Sequence, residues 1–305
     1  MDGFDYANGP KIPIYPCKNV ESSADEAGSI ILRASPVEIE TRFMFRGRRC
    51  EVVNGEIAFW EEGHGNQTII WIHGLPLASQ SWGAQRRHFS NYYRNIYIDL
   101  RGYGESSKLP ANVEDVTDLY CNDLRTLMDH LKLDRAHIVG FASAGHMALR
   151  FAAQNPARIE KLVTINGAAL FRQRGDWPWG FSDELMDQFT TAAARGGIED
   201  ITDMILNPDI VFRDLSHDDA QKVIYWFRQM SLKAGVQTLL GFFNHISRDD
   251  DRHMMSSIYA PTLLISGSLG QEVPSQSGLY LRQKIPDARL VELSGADHFP
   301  LSLAR

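Results

Sequence analysis

Six short apolar runs recur along the chain, and this recurrence constrains the fold more than any other feature. They are Thr68–His73 (TIIWIH), Asn95–Leu100 (NIYIDL), Ala136–Phe141 (AHIVGF), Lys161–Asn166 (KLVTIN), Thr262–Gly267 (TLLISG) and Ala288–Leu293 (ARLVEL). Each is short, rich in β-branched residues and bounded by polar residues or glycine, as buried strands are. Helix-like segments lie between most of them. In one, Leu119, Leu124, Leu127 and Leu131 recur at helical spacing; another runs from Ala144 to Gln154 and stops before Pro156. Buried strands alternating with helices predict an α/β fold with a mostly parallel sheet covered on both faces. Ligands of such sheets sit beyond the carboxyl ends of the strands. The chemistry is therefore sought directly after Ile72, Ile98, Val139, Ile165, Ile265 and Leu293.

Residues 171–250 break the alternation. They hold no clear strand but several helix-like stretches, the first opening at Ser182 with Glu184 and Asp187 close behind. The segment is aromatic and lies between two sheet strands, so it reads as a helical cap over the strand ends. Trp177, Trp179, Trp226 and Phe243 are candidate walls of a pocket for an apolar or aromatic small molecule. Residues 1–36 carry Gly, Pro, Ser and acidic residues without periodicity and read as an irregular N-terminal extension. The core is then residues 37–170 and 251–305, opening with a hairpin that turns at Asn54-Gly55.

Charge excludes some partners. The formal net charge is −7 and the isoelectric point about 5.8, so the surface repels phosphate backbones and nucleic acid is not expected. The one compact basic cluster, Arg46 to Arg49, reads as a solvated turn. Cys17, Cys50 and Cys121 are odd in number and widely spaced, which fits neither a disulfide framework nor a zinc site. With an acidic N-terminus lacking an apolar stretch, they point to a reducing, cytoplasmic location. No apolar run is long enough to span a bilayer. Oligomeric state leaves no mark in the sequence.

The segments after the strands carry motifs: His73–Pro76 (HGLP), Asp99–Ser107 (DLRGYGESS), Gly140–Gly145 (GFASAG), Gly267–Pro274 (GSLGQEVP) and Gly295–Pro300 (GADHFP). In this order they resemble the α/β-hydrolase fold family over roughly residues 50–300. The resemblance implies a mostly parallel sheet of about eight strands with an inserted helical cap. It also implies serine-hydrolase chemistry on an ester, lactone or related carbonyl bond, with no cofactor and no metal.

The family's G-x-S-x-G turn admits two frames here. In one, Gly140-Phe141-Ala142-Ser143-Ala144 fills it, with Ala142 at the nucleophile position. In the other, Ser143 is the nucleophile and Phe141 stands where the leading glycine belongs. The gapless spacing of the flanking segments favours Ala142, and Phe141 fits poorly at the start of a strained turn. The backbone N–H groups of Leu75 and Ser143 would then be the oxyanion donors.

His298 stands where the family keeps its general base. The usual acid slot holds Gly270, and Glu272, two residues on, is either a substitute acid or a solvated loop charge. The alternative slot after the preceding strand is Asn166, and Asp297 is expected to point away from its neighbour's ring. His73, Asp99 and Arg101 read as structural, and His146 as buried packing. Family members continue into a final helix, whereas this sequence ends at Arg305, which suggests truncation or excision.

Two functions follow. One is an ester- or lactone-cleaving hydrolase with its serine replaced by Ala142. The other is a degenerate relative that binds a ligand, or acts noncovalently as a lyase, cyclase or oxygenase through His298.

Overall fold

The computed structural model describes residues 47–270 and 273–300, together with the backbone of four short strands nearer the N-terminus. Those are β1 (Ile12–Pro13), β2 (Ser22–Ala24), β3 (Ile30–Leu32) and β4 (Glu38–Ile39). The chain continues through β5 (Arg48–Val52), β6 (Gly55–Glu62), β7 (Thr68–Ile72), α1 (Gly83–Phe89), β8 (Arg94–Ile98), α2 (Val116–His130), β9 (Ala136–Phe141), α3 (Ser143–Gln154) and β10 (Ile159–Ile165). Four helices follow: α4 (Asp183–Ile205), α5 (Pro208–Val211), α6 (His217–Ala234) and α7 (Val236–Asn244). β11 (Thr262–Gly267), α8 (Ser275–Lys284) and β12 (Ala288–Leu293) complete the order.

The main sheet has ten strands in the order β2-β3-β12-β11-β10-β9-β7-β8-β6-β5. From β3 to β8 every neighbouring pair is parallel. The β5–β6 hairpin, which turns at Val53 and Asn54, one residue before the Asn54-Gly55 turn expected from the sequence, adds an antiparallel edge through β8. The six runs that read as strands all lie in this sheet. β7 and β9 are buried along their whole length, as continuous apolar runs in a covered parallel sheet must be. α3 packs on β9 and β10, and α8 on β11 and β12.

Two readings need correction. Residues 1–36 are not wholly irregular: β3 adds to β12 in parallel and β2 adds to β3. Strands this short carry no measurable hydropathy period, so only the backbone pairing offered by the open edge of β12 reveals them. Arg48 and Arg49 lie in β5 and not in a turn; they are exposed and pair with Glu61, Glu56 and Glu105 across neighbouring segments. Arg46 and Cys17 lie outside the described residues.

The inserted segment is helical throughout α4–α7. Ser182, Asn207 and Ser216 cap its first three helices through side-chain oxygens that accept backbone N–H bonds. α4 breaks at Gly197, whose φ of +66° is readily adopted only by glycine. Its halves pack on α6 and α7.

One buried ion cluster ties this segment's exit to the core. Arg150, in α3, donates to Asp251 through Nε at 2.8 Å and Nη2 at 2.9 Å. It also reaches Asp249 at 2.9 Å and Asp115 at 2.9 Å. His146, one turn earlier, donates through Nδ1 to Ala168 O at 2.8 Å and places Nε2 3.1 Å from Asp251. Removing a single cation from such a cluster leaves buried carboxylates unpaired. We therefore expect Arg150→Met to lower stability by about 3–5 kcal/mol, read from urea unfolding. A change below about 1 kcal/mol would show that the cluster holds nothing.

Candidate active site

The ends of three adjacent strands lie level. Ile72 pairs with Gly140, and Ile165 pairs with Phe141, so the residues that follow each strand emerge side by side. Between β9 and α3 a single residue makes the turn. Ala142 has φ +48° and ψ −113°, a strained conformation for a residue with a Cβ, while Ser143 is already the first residue of α3. The Ala142 N–H donates to Ile165 O at 2.8 Å, and its carbonyl accepts from His146 N at 3.1 Å. Small neighbours make the turn possible. A Cβ on Gly140 would lie 2.4 Å from Ala144 O, and one on Gly145 would lie 2.9 Å from the Cα of Gly167.

The HGLP loop lies against this turn. A Cβ on Gly74 would lie 2.6 Å from Phe141 O, so only glycine permits the approach. His73 fixes the loop from behind. Its Nε2 accepts from Leu100 N at 3.1 Å, which leaves the proton on Nδ1 to donate to Gly74 O at 3.1 Å. Burial depresses its pKa to about 4, so this ring is neutral. Asp99 accepts from the backbone N–H groups of Ser79 and Glu105, both at 2.8 Å, and holds the next loop in place. Arg101 is fully buried and forms a two-pronged bond with Asp123. The structural roles expected of these three residues match the contacts they make.

His298 is buried beside the rings of Phe141 and Phe299. Burial depresses its pKa to about 4, against an opposing pull from Asp297. The Asp297 carboxylate is engaged elsewhere. It accepts from Arg213 through Nε at 2.9 Å and backbone N at 3.1 Å, and from His298 N at 2.9 Å. Arg213 also reaches Leu269 O, so the α5–α6 connection clasps the histidine loop. Phe212 adds a stack on Phe299, with ring centroids 5.2 Å apart. From the other side Asn166 donates to His298 O at 2.7 Å and accepts from Gly267 N at 3.0 Å. Asn166 thus serves as a backbone brace, a role its position in the sequence did not disclose.

Ala142, Ser143, Leu75 and His298 line one cavity of about 30 Å³ beneath the helical segment, with Phe171, Phe181, Phe242 and Phe243 among its walls. That volume is room for a water or two with the walls as they stand. Among the described residues, no group of three or more His, Cys, Asp and Glu is placed to hold a metal ion, and no helix is long and apolar enough to cross a membrane.

The alpha/beta hydrolase fold family matches residues 67–304. The chain belongs to that family. It is 26% identical over 236 residues to a pimeloyl-[acyl-carrier protein] methyl ester esterase of Nitrosomonas europaea, covering 76% of this chain and 88% of that protein. It is 26% identical over 262 residues to a 2-hydroxy-6-oxononadienedioate/2-hydroxy-6-oxononatrienedioate hydrolase of Burkholderia vietnamiensis, covering 78% of this chain and 83% of that one. Among solved structures, an enol-lactonase from Burkholderia xenovorans superposes with a TM-score of 0.73 at 25% identity, covering 83% of this chain and 93% of that one. As a member of the family, the chain is esterase-like.

Of the residues named from the α/β-hydrolase pattern, Ala142, Ser143, Leu75 and His298 meet at the cavity. Gly270 is in the loop after β11, and Glu272 lies outside the described residues. Phe243 lines the cavity, whereas Trp177, Trp179 and Trp226 are not among its walls. Trp177 instead packs edge-on against Trp179 and Tyr280 and donates to Leu170 O at 3.1 Å. Trp226 packs on Phe227. The Trp177 indole finds room and a hydrogen-bond partner outside this small apolar space, and phenyl rings line it.

The two neutral histidines make stability depend on pH. A histidine in the unfolded chain titrates near 6.5, so between about 4 and 6.5 the unfolded chain holds more protons than the folded one. The stability they permit is complete above about pH 6.5 and falls as the pH drops towards about 4, by on the order of 3 kcal/mol per histidine. Urea midpoints should therefore fall from pH 7 to 4.5, less steeply in His298→Gln. Parallel slopes for the two proteins would contradict a neutral His298.

Proposed function

We propose that this chain binds a small apolar ester, lactone or related carbonyl compound beneath its cap, and that Ala142 stands at the nucleophile position. On this reading no acyl-enzyme forms there, because alanine offers no attacking oxygen. The observation that carries the reading is the backbone of Ala142: the strained turn between strand and helix belongs to it and not to Ser143. His298 is the proposed base and the Ser143 backbone amide a proposed oxyanion donor, whereas the Leu75 amide, the other donor expected from the sequence, donates to the Ser143 hydroxyl at 3.0 Å. Relatives named for a methyl ester and an enol-lactone support the carbonyl class. The aromatic walls support an apolar ligand, which must part those rings to enter so small a cavity.

A second reading also has an observation behind it. His298 is buried, neutral above about pH 4 and on the cavity wall, so it can take a proton from a bound ligand or water without any covalent intermediate. That is the requirement of noncovalent lyase, cyclase or oxygenase chemistry. It is also the route for slow hydrolysis, in which water loses a proton to His298 as its oxygen adds to the carbonyl, and the departing alkoxide takes that proton back.

The two readings separate by restoring the missing groups. Loss of a whole catalytic triad costs about 2 × 10⁶ in kcat, and loss of the acid alone about 3 × 10⁴. Serine restored to a site without its acid therefore recovers the ratio, on the order of a hundredfold. We expect Ala142→Ser to raise p-nitrophenyl ester turnover by about that factor, and the double variant with Gly270→Asp to raise it further. Among the described residues a Cβ at Gly270 meets only Val273 O at 3.2 Å and Gly267 O at 3.5 Å, so they leave room for the aspartate with a small adjustment. No gain in either variant would remove the nucleophile reading and favour the noncovalent one.

A further inference from the structure

We propose that the Ser143 hydroxyl, and not the Leu75 amide, receives the carbonyl oxygen of a ligand in this cavity, which makes Ser143 a positioning residue that selects neutral carbonyl compounds. The inference rests on the carbonyl-site reading above. It begins with one bond: Leu75 N–H donates to Ser143 Oγ at 3.0 Å. An amide has one hydrogen, so this one is committed. The hydroxyl that accepts it still has its own hydrogen to give. Among the described residues none accepts that hydrogen. Ser143 is 7% exposed and lines the cavity, so a ligand there meets the hydroxyl without competition from bulk water.

Two effects sharpen it as a donor. A hydroxyl that accepts from an amide is polarised, and its own O–H bond donates more strongly. Ser143 is also the first residue of the twelve-residue α3, whose N-terminal dipole favours partial negative charge at the accepted oxygen. The remaining wall sets the class of ligand. Phe171, Phe181, Ile205, Phe242, Phe243 and Val273 are apolar, and His298 is neutral. Among the described residues no lysine or arginine lines the space, so a carboxylate would be desolvated without a counter-charge. A neutral ketone, ester or lactone needs only one donor.

The test compares acetophenone with α-methylstyrene, which has the same shape but carries C=CH₂ in place of C=O. The wild type should bind the ketone more tightly, and the infrared band of its ¹³C-labelled carbonyl should lie below the position seen in hexane. Ser143→Ala should weaken the ketone about five- to tenfold, leave the hydrocarbon within about twofold and return the band towards its hexane position. If Ser143→Ala binds the ketone equally or more tightly with the band still shifted, another donor holds the oxygen and the proposal is overturned. If the wild type binds both compounds with the band at its hexane position, the proposal falls while the carbonyl-site reading survives on binding. If the wild type takes up neither compound, both fall.

Discussion

The geometry of the whole site depends on the backbone of one residue. A left-handed φ at an alanine costs on the order of 1–3 kcal/mol, and the surrounding structure must enforce it. Here the enforcement is visible. The Ala142 N–H is taken by the carbonyl at the end of β10, its carbonyl opens the ladder of α3, and glycines on three sides let neighbouring backbone come close. The sharp turn places the start of α3 against the HGLP loop, under the helices of the cap. A relaxed turn would separate Ser143 from Leu75 and dismantle the cavity's polar corner.

The rest of the molecule braces that turn from three sides. The Arg150 cluster fixes α3 to the segment returning from the cap. Asn166 ties the end of β10 to β11 and to the histidine loop, and Arg213 clasps the same loop from the cap through Asp297. These groups are charged or polar and mostly buried, which is costly unless each is satisfied, and here they satisfy one another. On the proposed reading, the scaffold of a hydrolase site surrounds an alanine and a glycine at the positions where the family's pattern expects serine and aspartate.

Much of this was legible in the sequence, because the period and composition of buried strands are local properties. The six apolar runs, the α2 pattern and the Ser182 cap needed no tertiary information. The register of GFASAG against its flanks likewise pointed to Ala142, the residue that bears the strained φ. What was not legible depends on long-range contact. Trp177 and Trp226 look like pocket walls in an aromatic segment, yet their orientation is set by partners such as Tyr280 and Phe227. The Arg213–Asp297 clasp joins residues far apart in the chain. His146 read as buried packing, and buried it is, but only the fold brings Asp251 to its ring. The short strands β2 and β3 are fixed by pairing with β12, not by their own residues.

The central claim is that the reactive position of this site is residue 142, and that it is empty of an oxygen. A fluorophosphonate tests it most directly, since it phosphonylates a serine only where base and oxyanion donors converge on it. Intact-protein mass spectrometry should find this chain unmodified, and Ala142→Ser modified once, at residue 142. A stoichiometric adduct on Ser143 of the unaltered chain would contradict the account.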